Sequence, residues 1–339
     1  MSSWGETNTA SAIRFEEVTK RFPGGVRPAV DRVTLAVDPG EFIVLLGPSG
    51  CGKTTLLKMV NRLYDTTSGQ ILIDDMPIDS MPAPQLRRRI GYVIQQTGLF
   101  PHMRVEDNIG VVPKLLGWDK ARTTQRATEL LDLVGLPADE YRRRYPGQLS
   151  GGQQQRVGLA RALAAEQPTL LMDEPFGALD AITRSRLQDE LKSIHKRLGQ
   201  TILFVTHDIE EAVRLADRIV VMREGQVVQY DQPRQIVMHP ADAFVSELVG
   251  AEDVLRRLSL LPVDTALKPL NGSPVADLPT VDIRTDLRVA LSMLLELPVD
   301  QLVVLDDGGT PVGTIDLASI EAAGASELPL NMHTTGTLA

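Results

Sequence analysis

Cysteine is almost absent from this sequence of 339 residues, in which Cys51 is the single example. One cysteine can form neither a disulfide within the chain nor a cysteine cluster for zinc. Hydrophobic residues make up 43% of the sequence, an ordinary share for a chain that buries a large core. The sequence therefore predicts a protein that is stabilised by its core and not by cross-links.

Long hydrophobic runs are missing as well. A membrane-spanning helix needs about 20 largely apolar residues, and the longest runs here, such as Phe42–Leu46 and Ile219–Met222, have the length of strands. Residues 1–10 carry neither a basic flank nor an apolar core, so they lack the pattern of a signal peptide. We therefore expect a chain that stays in the cytosol and reaches any membrane through a partner.

Positive charge is in deficit, with 35 basic residues against 44 acidic ones and a net charge of −9. Residues 251–339 hold 13 acidic and 5 basic residues, a net charge of −8. Nucleic-acid-binding proteins normally present a basic face, so we expect no nucleic-acid partner. The acidic region repels other anions, and a solvated surface without further function explains it equally well.

A glycine-rich loop follows the apolar run Phe42–Leu46, and a helix is predicted after the loop at Thr54–Tyr64. It matches the phosphate-binding pattern G-x-x-x-x-G-K-[ST] with Gly47, Pro48, Ser49, Gly50, Cys51, Gly52, Lys53 and Thr54. Glycines let consecutive backbone N–H groups turn towards phosphate oxygens, and the start of a helix adds its positive dipole end. Lys53 is expected to contact the β- and γ-phosphates, and the Thr54 hydroxyl Mg²⁺. A plain glycine-rich turn is the alternative, which the flanking strand and helix disfavour.

A second apolar strand, Leu170–Met172, ends in the two carboxylates Asp173 and Glu174. We expect Asp173 to hold Mg²⁺ through water, and Glu174 to act as general base on the attacking water. The alternative is a strand that ends in a solvated acidic turn. The phosphate-binding loop upstream favours the catalytic interpretation.

A signature lies between these two motifs, in the run Leu149-Ser150-Gly151-Gly152-Gln153. This run resembles the signature of the ATP-binding cassette (ABC) family, and the resemblance covers about residues 12–250. It implies a head-to-tail pair of chains, in which Ser150, Gly151, Gly152 and Gln153 of one copy close over the ATP bound by the other. A P-loop kinase or GTPase, which has no such run, is disfavoured.

The resemblance assigns further residues to the site. His207, in the segment Phe204–Asp208, is implied to position water with Glu174. Gln95 is implied to reach Mg²⁺ and water, with Gln96 as a rival, because Gln95 stands six residues before Pro101. Thr55 is assigned to the nucleotide together with the phosphate loop, in which Cys51 fills a variable position.

Two assignments concern the dimer seam and the base. Asp180, in Ala178-Leu179-Asp180, resembles the D-loop that runs along the seam between the two copies. Phe22 has the position of the aromatic residue that stacks on adenine, although a place in the core explains Phe22 equally well.

The implied fold is α/β: a P-loop NTPase cassette with a RecA-like core, an antiparallel β subdomain and a helical subdomain at about residues 97–160. Longer helical patterns at Val105–Pro146 predict that helical subdomain directly. We expect disorder in residues 1–11 and an ATPase domain over residues 12–250. Further strands are predicted at Ile13–Phe22, Val33–Val37, Gln70–Asp74 and Ile202–Val205, with a hairpin at Arg218–Met222 and Gln226–Tyr230.

The sequence changes character after residue 250. Residues 259–279 are rich in proline, and the region from Val281 to Ile320 predicts a strand, the helix Leu287–Leu297 and the strands Gln301–Leu305 and Val312–Ile315. This pattern resembles one repeat of the cystathionine-β-synthase (CBS) type. We therefore expect a small α+β CBS-like domain over residues 251–322, as a single repeat or a degenerate pair, and a flexible tail over residues 323–339.

The amino-acid sequence of segment 90–103 and the CBS-like tail resemble those of the ABC importers of glycine betaine, carnitine and choline. The resemblance implies a peripheral subunit at the cytoplasmic face of the membrane, with separate permease subunits and an extracytoplasmic solute-binding protein. An importer of another solute, such as ergothioneine or an amino acid, is the main alternative, and an ABC ATPase without a transport role is a further one. Because salt screens charge over about 8–10 Å, the acidic tail also suggests a sensor of ionic strength.

Overall fold

The structure is a computed structural model that describes residues 10–95, 98–270 and 278–326. The chain divides into two compact units, with the boundary between Tyr230 and Asp231. Most of the segment 1–11, predicted to be disordered, lies outside the described residues. Its last residue, Ser11, is buried and donates a hydrogen bond to Asp74 at 3.0 Å, so order begins inside that segment.

The first unit contains ten strands and nine α-helices in its described part. Its strands are β1 (Ile13–Lys20), β2 (Val30–Val37), β3 (Phe42–Leu46), β4 (Ser68–Ile73), β5 (Met76–Pro77), β6 (Ile90–Val93), β7 (Thr169–Asp173), β8 (Thr201–Thr206), β9 (Arg218–Arg223) and β10 (Gln226–Asp231). Its helices are α1 (Lys53–Val60), α2 (Ala83–Arg88), α3 (Val105–Ile109), α4 (Val111–Leu115), α5 (Lys120–Leu133), α6 (Ala138–Tyr141), α7 (Gly151–Leu163), α8 (Ala181–Leu198) and α9 (Ile209–Leu215).

A six-stranded sheet with the order β10-β9-β3-β8-β7-β6 forms the centre of this unit. The pairs β3–β8, β3–β9, β7–β8 and β6–β7 are parallel. Every residue of β3, β7 and β8 is buried, which explains why their sequences are continuous apolar runs. Parallel strands end at the same edge of a sheet, so the segments that follow β3, β7 and β8 come together there.

An antiparallel sheet with the order β2-β1-β4-β5 packs beside it, and the two sheets share a core that includes Ile13, Phe15, Val33, Leu57 and Ile71. The antiparallel β subdomain that the resemblance implied is therefore present. β1 ends at Lys20 and not at Phe22, because Pro23-Gly24-Gly25 follows as a turn in which Gly25 N–H bonds back to the carbonyl of Phe22. The predicted helix at Thr54–Tyr64 begins at Lys53 and ends at Val60, before Arg62, which adopts a φ of +47°.

The helical segment is formed by α3 to α6 and by the signature helix α7, against which α3 and α5 pack. The predicted hairpin is confirmed as β9 and β10, which are joined by Glu224 and Gly225, both with positive φ. None of the helices in the described residues combines the length and the hydropathy that a membrane crossing requires.

The second unit has a core of its own. It contains α10 (Pro233–Met238), α11 (Ala243–Val249), α12 (Val254–Leu258), β11 (Thr280–Asp282), α13 (Leu287–Glu296), β12 (Gln301–Leu305), β13 (Pro311–Asp316) and α14 (Leu317–Ser326). Its strands form a sheet in which β11 is parallel and β13 antiparallel to β12. Met238 packs in the same core as Leu258, Leu302 and Ile315, so this unit begins before residue 250.

Two sequence expectations differ from this unit. Helices α10 to α12 were not predicted, although Asp242 and Asp253 cap α11 and α12 in a regular way. Residues 323–326, placed in the flexible tail, belong to α14, and the rest of that tail lies outside the described residues. The proline-rich segment 259–279 contains a 3-10 turn at Val263–Ala266, and residues 271–277 also lie outside the described range.

Candidate nucleotide-binding and hydrolysis site

The loop between β3 and α1 requires glycine at two positions. Gly47 has a φ of +153°, and a Cβ there would lie 2.3 Å from the carbonyl oxygen of Met222. Gly52 has a φ of +109° and precedes α1, and a Cβ there would lie 2.3 Å from the carbonyl oxygen of Ala29. The loop therefore has a backbone path that only glycine fits, close to the start of a helix.

Lys53 is only 6% exposed and its ammonium points into this loop. Nζ donates hydrogen bonds to the carbonyl oxygens of Gly47 at 2.6 Å and Pro48 at 3.0 Å. The Cys51 thiol, also buried, lies 3.8 Å from Nζ, so Cys51 packs inside the loop. Pro48, Ser49 and Gly50 are exposed at the tip, and Thr55 is half-buried on α1.

Thr54 joins the loop to the end of β7, since its hydroxyl donates to Oδ1 of Asp173 at 2.8 Å. Asp173 is buried, and burial raises the pKa of its carboxyl, while the Thr54 hydrogen bond and the nearby Lys58 and Lys53 act in the opposite direction. A hydroxyl and a carboxylate beside a buried ammonium and a glycine-lined loop fit a triphosphate with its Mg²⁺.

Glu174 lies at the meeting point of two other predicted site residues. Its Oε1 is 3.2 Å from Nδ1 of His207, and its Oε2 accepts from Nε2 of Gln95 at 3.3 Å. Glu174 adopts a φ of +47°, and its N–H donates to the carbonyl of Val205 on the neighbouring strand at 3.0 Å. The structure thus brings together Gln95, Glu174 and His207, while the rival Gln96 lies outside the described residues.

The signature residues cap their own helix. Ser150 Oγ accepts from the N–H of Gln153 at 3.3 Å, and Gln153 Oε1 accepts from the N–H of Ser150 at 2.9 Å, which is a reciprocal capping box. Gly151 and Ser150 are exposed, and an added Cβ on Gly151 would meet no atom within 4 Å. The signature is therefore an open helix start, and Gly152 lies behind it against Ala178.

Asp180 and Phe22 lie outside the group formed by Gln95, Glu174 and His207. Asp180 caps α8 by accepting from the N–H of Thr183 at 2.9 Å, a bond that lowers the pKa of its carboxyl. Phe22 is 37% exposed, and its ring meets Tyr64 edge-on at 5.2 Å between centroids. The ammonium of Lys20 lies 5.3 Å from the Phe22 centroid. The partial exposure of Phe22 disfavours the core interpretation and leaves ring surface accessible.

Comparison with known proteins decides the family. The family model described as ABC transporter matches residues 30–177. The chain is 49% identical over 91% of its length to the carnitine transport ATP-binding protein OpuCA of Listeria monocytogenes, of which it covers 76%. The chain belongs to the ABC transporter family.

Other relatives have related names. The glycine betaine/carnitine/choline transport ATP-binding protein OpuCA of Bacillus subtilis is 47% identical over 91% of this chain and 79% of its own length. The osmoprotectant import ATP-binding protein OsmV of Salmonella typhimurium is 47% identical over 89% and 78%, respectively. Proteins of this family hydrolyse ATP to drive transport, so this ABC chain is an ATPase of that kind.

Solved structures agree with the fold. The dimeric cassette MJ0796, in a post-hydrolysis state with ADP and phosphate, aligns with a TM-score of 0.61 and 34% identity. The alignment covers 65% of this chain and 98% of MJ0796. The fold is therefore that of an ABC cassette, as expected from the motifs, and the cassette binds ATP.

Two residues of this ABC cassette were missed in the sequence. Gln155, only 5% exposed, bonds to both ends of the segment between Glu174 and Ala178. Its spacing from Leu159 and Ala162 places it on the buried face of α7, which is the signal that helical periodicity offered. Asn108 is fully buried and its amide bonds to Phe100, Met103 and Arg104, which shapes the loop from Phe100 to Arg104.

Proposed function

We propose that this chain is the ATP-hydrolysing subunit of an importer for a quaternary-ammonium osmoprotectant such as glycine betaine, choline or carnitine. The observation that carries the ATPase part is the contact of Glu174 with both His207 and Gln95 beside the phosphate loop. The similarity to carnitine, choline and osmoprotectant import proteins over about nine tenths of the chain supports the solute class.

The roles of the site residues follow from their chemistry. Lys53 and the N–H groups of the glycine loop bind the phosphates. Thr54 and Asp173 hold Mg²⁺, and the amide of Gln95 also reaches the ion. Bound Mg²⁺ neutralises charge on the phosphate oxygens. Glu174 accepts a proton from the attacking water, and His207 orients the carboxylate from its other side.

A second copy of the chain completes the site in this proposal. Ser150 and Gly151 are exposed at the start of α7, where N–H groups and the helix dipole favour an anion. In a head-to-tail pair, Ser150, Gly151, Gly152 and Gln153 of one copy bind the γ-phosphate held by the other, and Asp180 lies along the seam. The dimeric structure of the cassette MJ0796 supports this arrangement.

Permease subunits are expected to dock on the helical segment. A cavity of about 520 Å³ there is lined by Trp118 and five basic side chains, against two acidic ones, Glu106 and Asp107. The basic residues are Arg104, Lys114, Lys120, Arg142 and Arg143. Leu115 and Leu116 beside it are 59% and 42% exposed. This surface suits an acidic permease loop with an apolar anchor.

The docking surface can be tested by co-purification. The double variant Arg142→Glu/Arg143→Glu is expected to lose the permease while the isolated chain keeps its ATPase activity. Lys196→Glu/Arg197→Glu, an equal charge change in the last turn of α8, is the matched control and is expected to keep the permease. Retention of the permease by both variants would place the docking surface elsewhere.

The order β11-α13-β12-β13 in the second unit is the predicted one and supports a single CBS-like repeat, whereas α14, which follows, was not predicted. We assign it a regulatory role in the importer, and we place the complex at the cytoplasmic face of the membrane with an extracytoplasmic solute-binding protein on the other side. The net charge of −8 in residues 251–339 supports a response to ionic strength.

Solute-stimulated ATPase activity tests the proposal directly. The chain is purified with its permease in lipid, supplied with the cognate binding protein, and assayed with betaine, choline, carnitine, proline and ergothioneine, with Glu174→Gln as the inactive control. Stimulation by a quaternary-ammonium solute alone would establish the proposed cargo. ATP hydrolysis that responds only to proline or ergothioneine would replace the cargo, and hydrolysis without any response would overturn the import function for these solutes.

A further inference from the structure

We propose that Gln155 is a positioning residue that fixes the general base Glu174 to the signature helix of the same subunit. The signature of this subunit contacts the ATP that the partner binds. Through Gln155, the rate at which the subunit hydrolyses the ATP in its own phosphate loop depends on that contact. This inference rests on the proposed head-to-tail dimer and names the side chain that links its two ATP sites.

The geometry is a two-ended bridge. Nε2 of Gln155 donates to the carbonyl oxygen of Glu174 at 3.2 Å, and Oε1 of Gln155 accepts from the N–H of Ala178 at 3.0 Å. Glu174 is the general base, and Ala178 begins the segment that ends at Asp180. One buried amide therefore holds both ends of the connection from the base to the dimer seam.

The segment that Gln155 holds has little regular structure of its own. Within it, Gly177 N–H bonds to the carbonyl of Glu174 at 3.3 Å, and Leu179 N–H bonds to the carbonyl of Phe176 at 3.1 Å. Glu174 has a φ of +47°, which an L-residue keeps only when its surroundings hold it. A rotation of the Glu174 peptide would turn its carboxylate away from His207, so the bond from Gln155 supports the catalytic contact.

The helix α7 connects this bridge to the signature. Ser150 caps α7, and Gln155 lies about one and a half turns into it, about 7 Å along the axis from the cap at a rise of about 1.5 Å per residue. A short helical segment moves as a rigid body, so a shift of Ser150 and Gly151 on binding the partner's nucleotide also moves the amide of Gln155. The base then receives that shift through one hydrogen bond.

The two bonds of Gln155 can be separated by substitution. Gln155→Glu keeps the shape and the acceptor for Ala178 N–H, but a carboxylate cannot donate to the Glu174 carbonyl and faces its oxygen instead. Gln155→Leu removes both bonds. The matched control is Gln200→Leu, because Gln200 is also a buried glutamine whose amide donates to a backbone carbonyl, that of Gln167. Gln200 precedes β8, at the edge of the sheet opposite to the site.

The test uses the full chain and measures ATPase rate against ATP concentration, together with equilibrium binding of a fluorescent ATP analogue. We expect both Gln155 variants to lower kcat by at least about tenfold, to keep the KM for ATP and the analogue affinity within about twofold, and to lower the Hill coefficient from above one towards one. Gln200→Leu is expected to keep kcat and the Hill coefficient, even where it lowers the melting temperature.

The opposing outcomes are separate. If the wild type hydrolyses ATP cooperatively and the Gln155 variants do so with kcat within twofold, the proposal is wrong. If the wild type shows a Hill coefficient of one, the coupling between sites is absent. A wild type without ATPase activity would instead refute the proposed function.

Hydrogen exchange on the wild type and on Glu174→Gln covers the case in which the Gln155 variants fail to fold. The Ala178 amide is expected to be protected, and its protection is expected to change when ATP is bound to Glu174→Gln. Exchange of Ala178 at the rate of an unstructured peptide, or protection that ATP leaves unchanged, would contradict the bridge.

Discussion

Nδ1 of His207 lies 3.2 Å from Oε1 of Glu174, at the shared edge where β8 and β7 end. The two residues are far apart in sequence and meet because their strands are parallel neighbours. Glu174 reaches this placement with a left-handed backbone, which costs about 1–2 kcal/mol in an L-residue. Strain of this kind concentrates at functional sites, and the contact it permits is the basis of the first prediction.

Removing the base should separate binding from hydrolysis. In Glu174→Gln, Lys53 and Thr54 are unchanged, so ATP binding is expected to persist while the hydrolysis rate falls by about 10²- to 10⁴-fold. His207→Ala is expected to lower the rate by at least about tenfold, because the carboxylate loses its second contact. Phosphate release measures the rate, and His102→Ala is the matched histidine control in the isolated chain. Full activity in His207→Ala would remove that residue from the site.

Two glycines of the phosphate loop should respond differently to alanine. Gly50→Ala meets no atom within 4 Å and carries only the strain of a φ of +82°, about 1–2 kcal/mol. ATP affinity should therefore fall by roughly 5- to 30-fold. Gly52→Ala adds a clash 2.3 Å from the Ala29 carbonyl, and ATP binding is expected to become undetectable. Calorimetry measures the ATP affinity of both variants, and circular dichroism checks their fold. Equal losses of affinity in the two variants would contradict the close approach of Gly52 to Ala29.

These residues also show how far the sequence leads. The strand Phe42–Leu46 has the predicted bounds because a fully buried parallel strand is a continuous apolar run. Gln95, Glu174 and His207 were predicted from motifs, and their contacts follow from strand order, which a single sequence does not contain. Gln155 was missed because it is one of three consecutive glutamines. Which of them faces the core is known only once the start of the helix is known. The second unit was predicted to begin at residue 251, which is too late in the sequence. Met238 already packs in the core that Leu258 and later residues form.

Phe22 should affect the base of the nucleotide and not its phosphates. Stacking on an aromatic ring contributes about 1–3 kcal/mol per base, so Phe22→Ala is expected to raise the Kd for ATP by roughly 5- to 150-fold. Phe22→Tyr should retain affinity, and Val26→Ala, at a 94% exposed apolar residue of the same loop, should change nothing. Tripolyphosphate binding separates the contributions. If Phe22→Ala weakens tripolyphosphate as much as ATP, the ring does not stack on adenine.

Glu211 makes stability depend on pH. It is buried on α9 and accepts from the Thr206 hydroxyl at 2.7 Å and from Gln188 at 3.2 Å. Burial raises the pKa of Glu211 above its ordinary value of 4.5, and the Thr206 hydrogen bond opposes this only in part. The folded state therefore favours the protonated carboxyl, so its contribution is present below pH 4.5 and is lost as pH rises through the folded pKa.

The neutral variant Glu211→Gln isolates this effect. Its melting temperature relative to the wild type is expected to rise as pH increases from about 4.5 to 8, because only the wild type acquires a buried charge. Thermal unfolding at a series of pH values provides the measurement. A difference between the two proteins that is constant over this range would show that Glu211 does not titrate there.

The acidic second unit should carry any salt response of the assembled transporter. Glu296, Asp300 and Glu321 are exposed, and neutralising them to Gln, Asn and Gln is expected to flatten the dependence of transport on ionic strength. The control neutralises Asp65, Asp79 and Asp139 of the first unit to Asn. Transport rates in vesicles over a range of KCl concentrations test this. If transport by the second-unit variant depends on salt as steeply as transport by the control variant, the charge of the second unit is not the sensor.

The position of the second core has a consequence for how such chains are assembled from parts. Helices α10 and α12 share one core with the strands that follow them, α11 packs on α10, and the change of unit falls after Tyr230. A gene fusion or a designed chimera that changes sequence after residue 250 would separate α11 from α12 and divide that core. A junction at Tyr230 would exchange the whole second unit, with α10, α11 and α12 kept beside the strands that follow them.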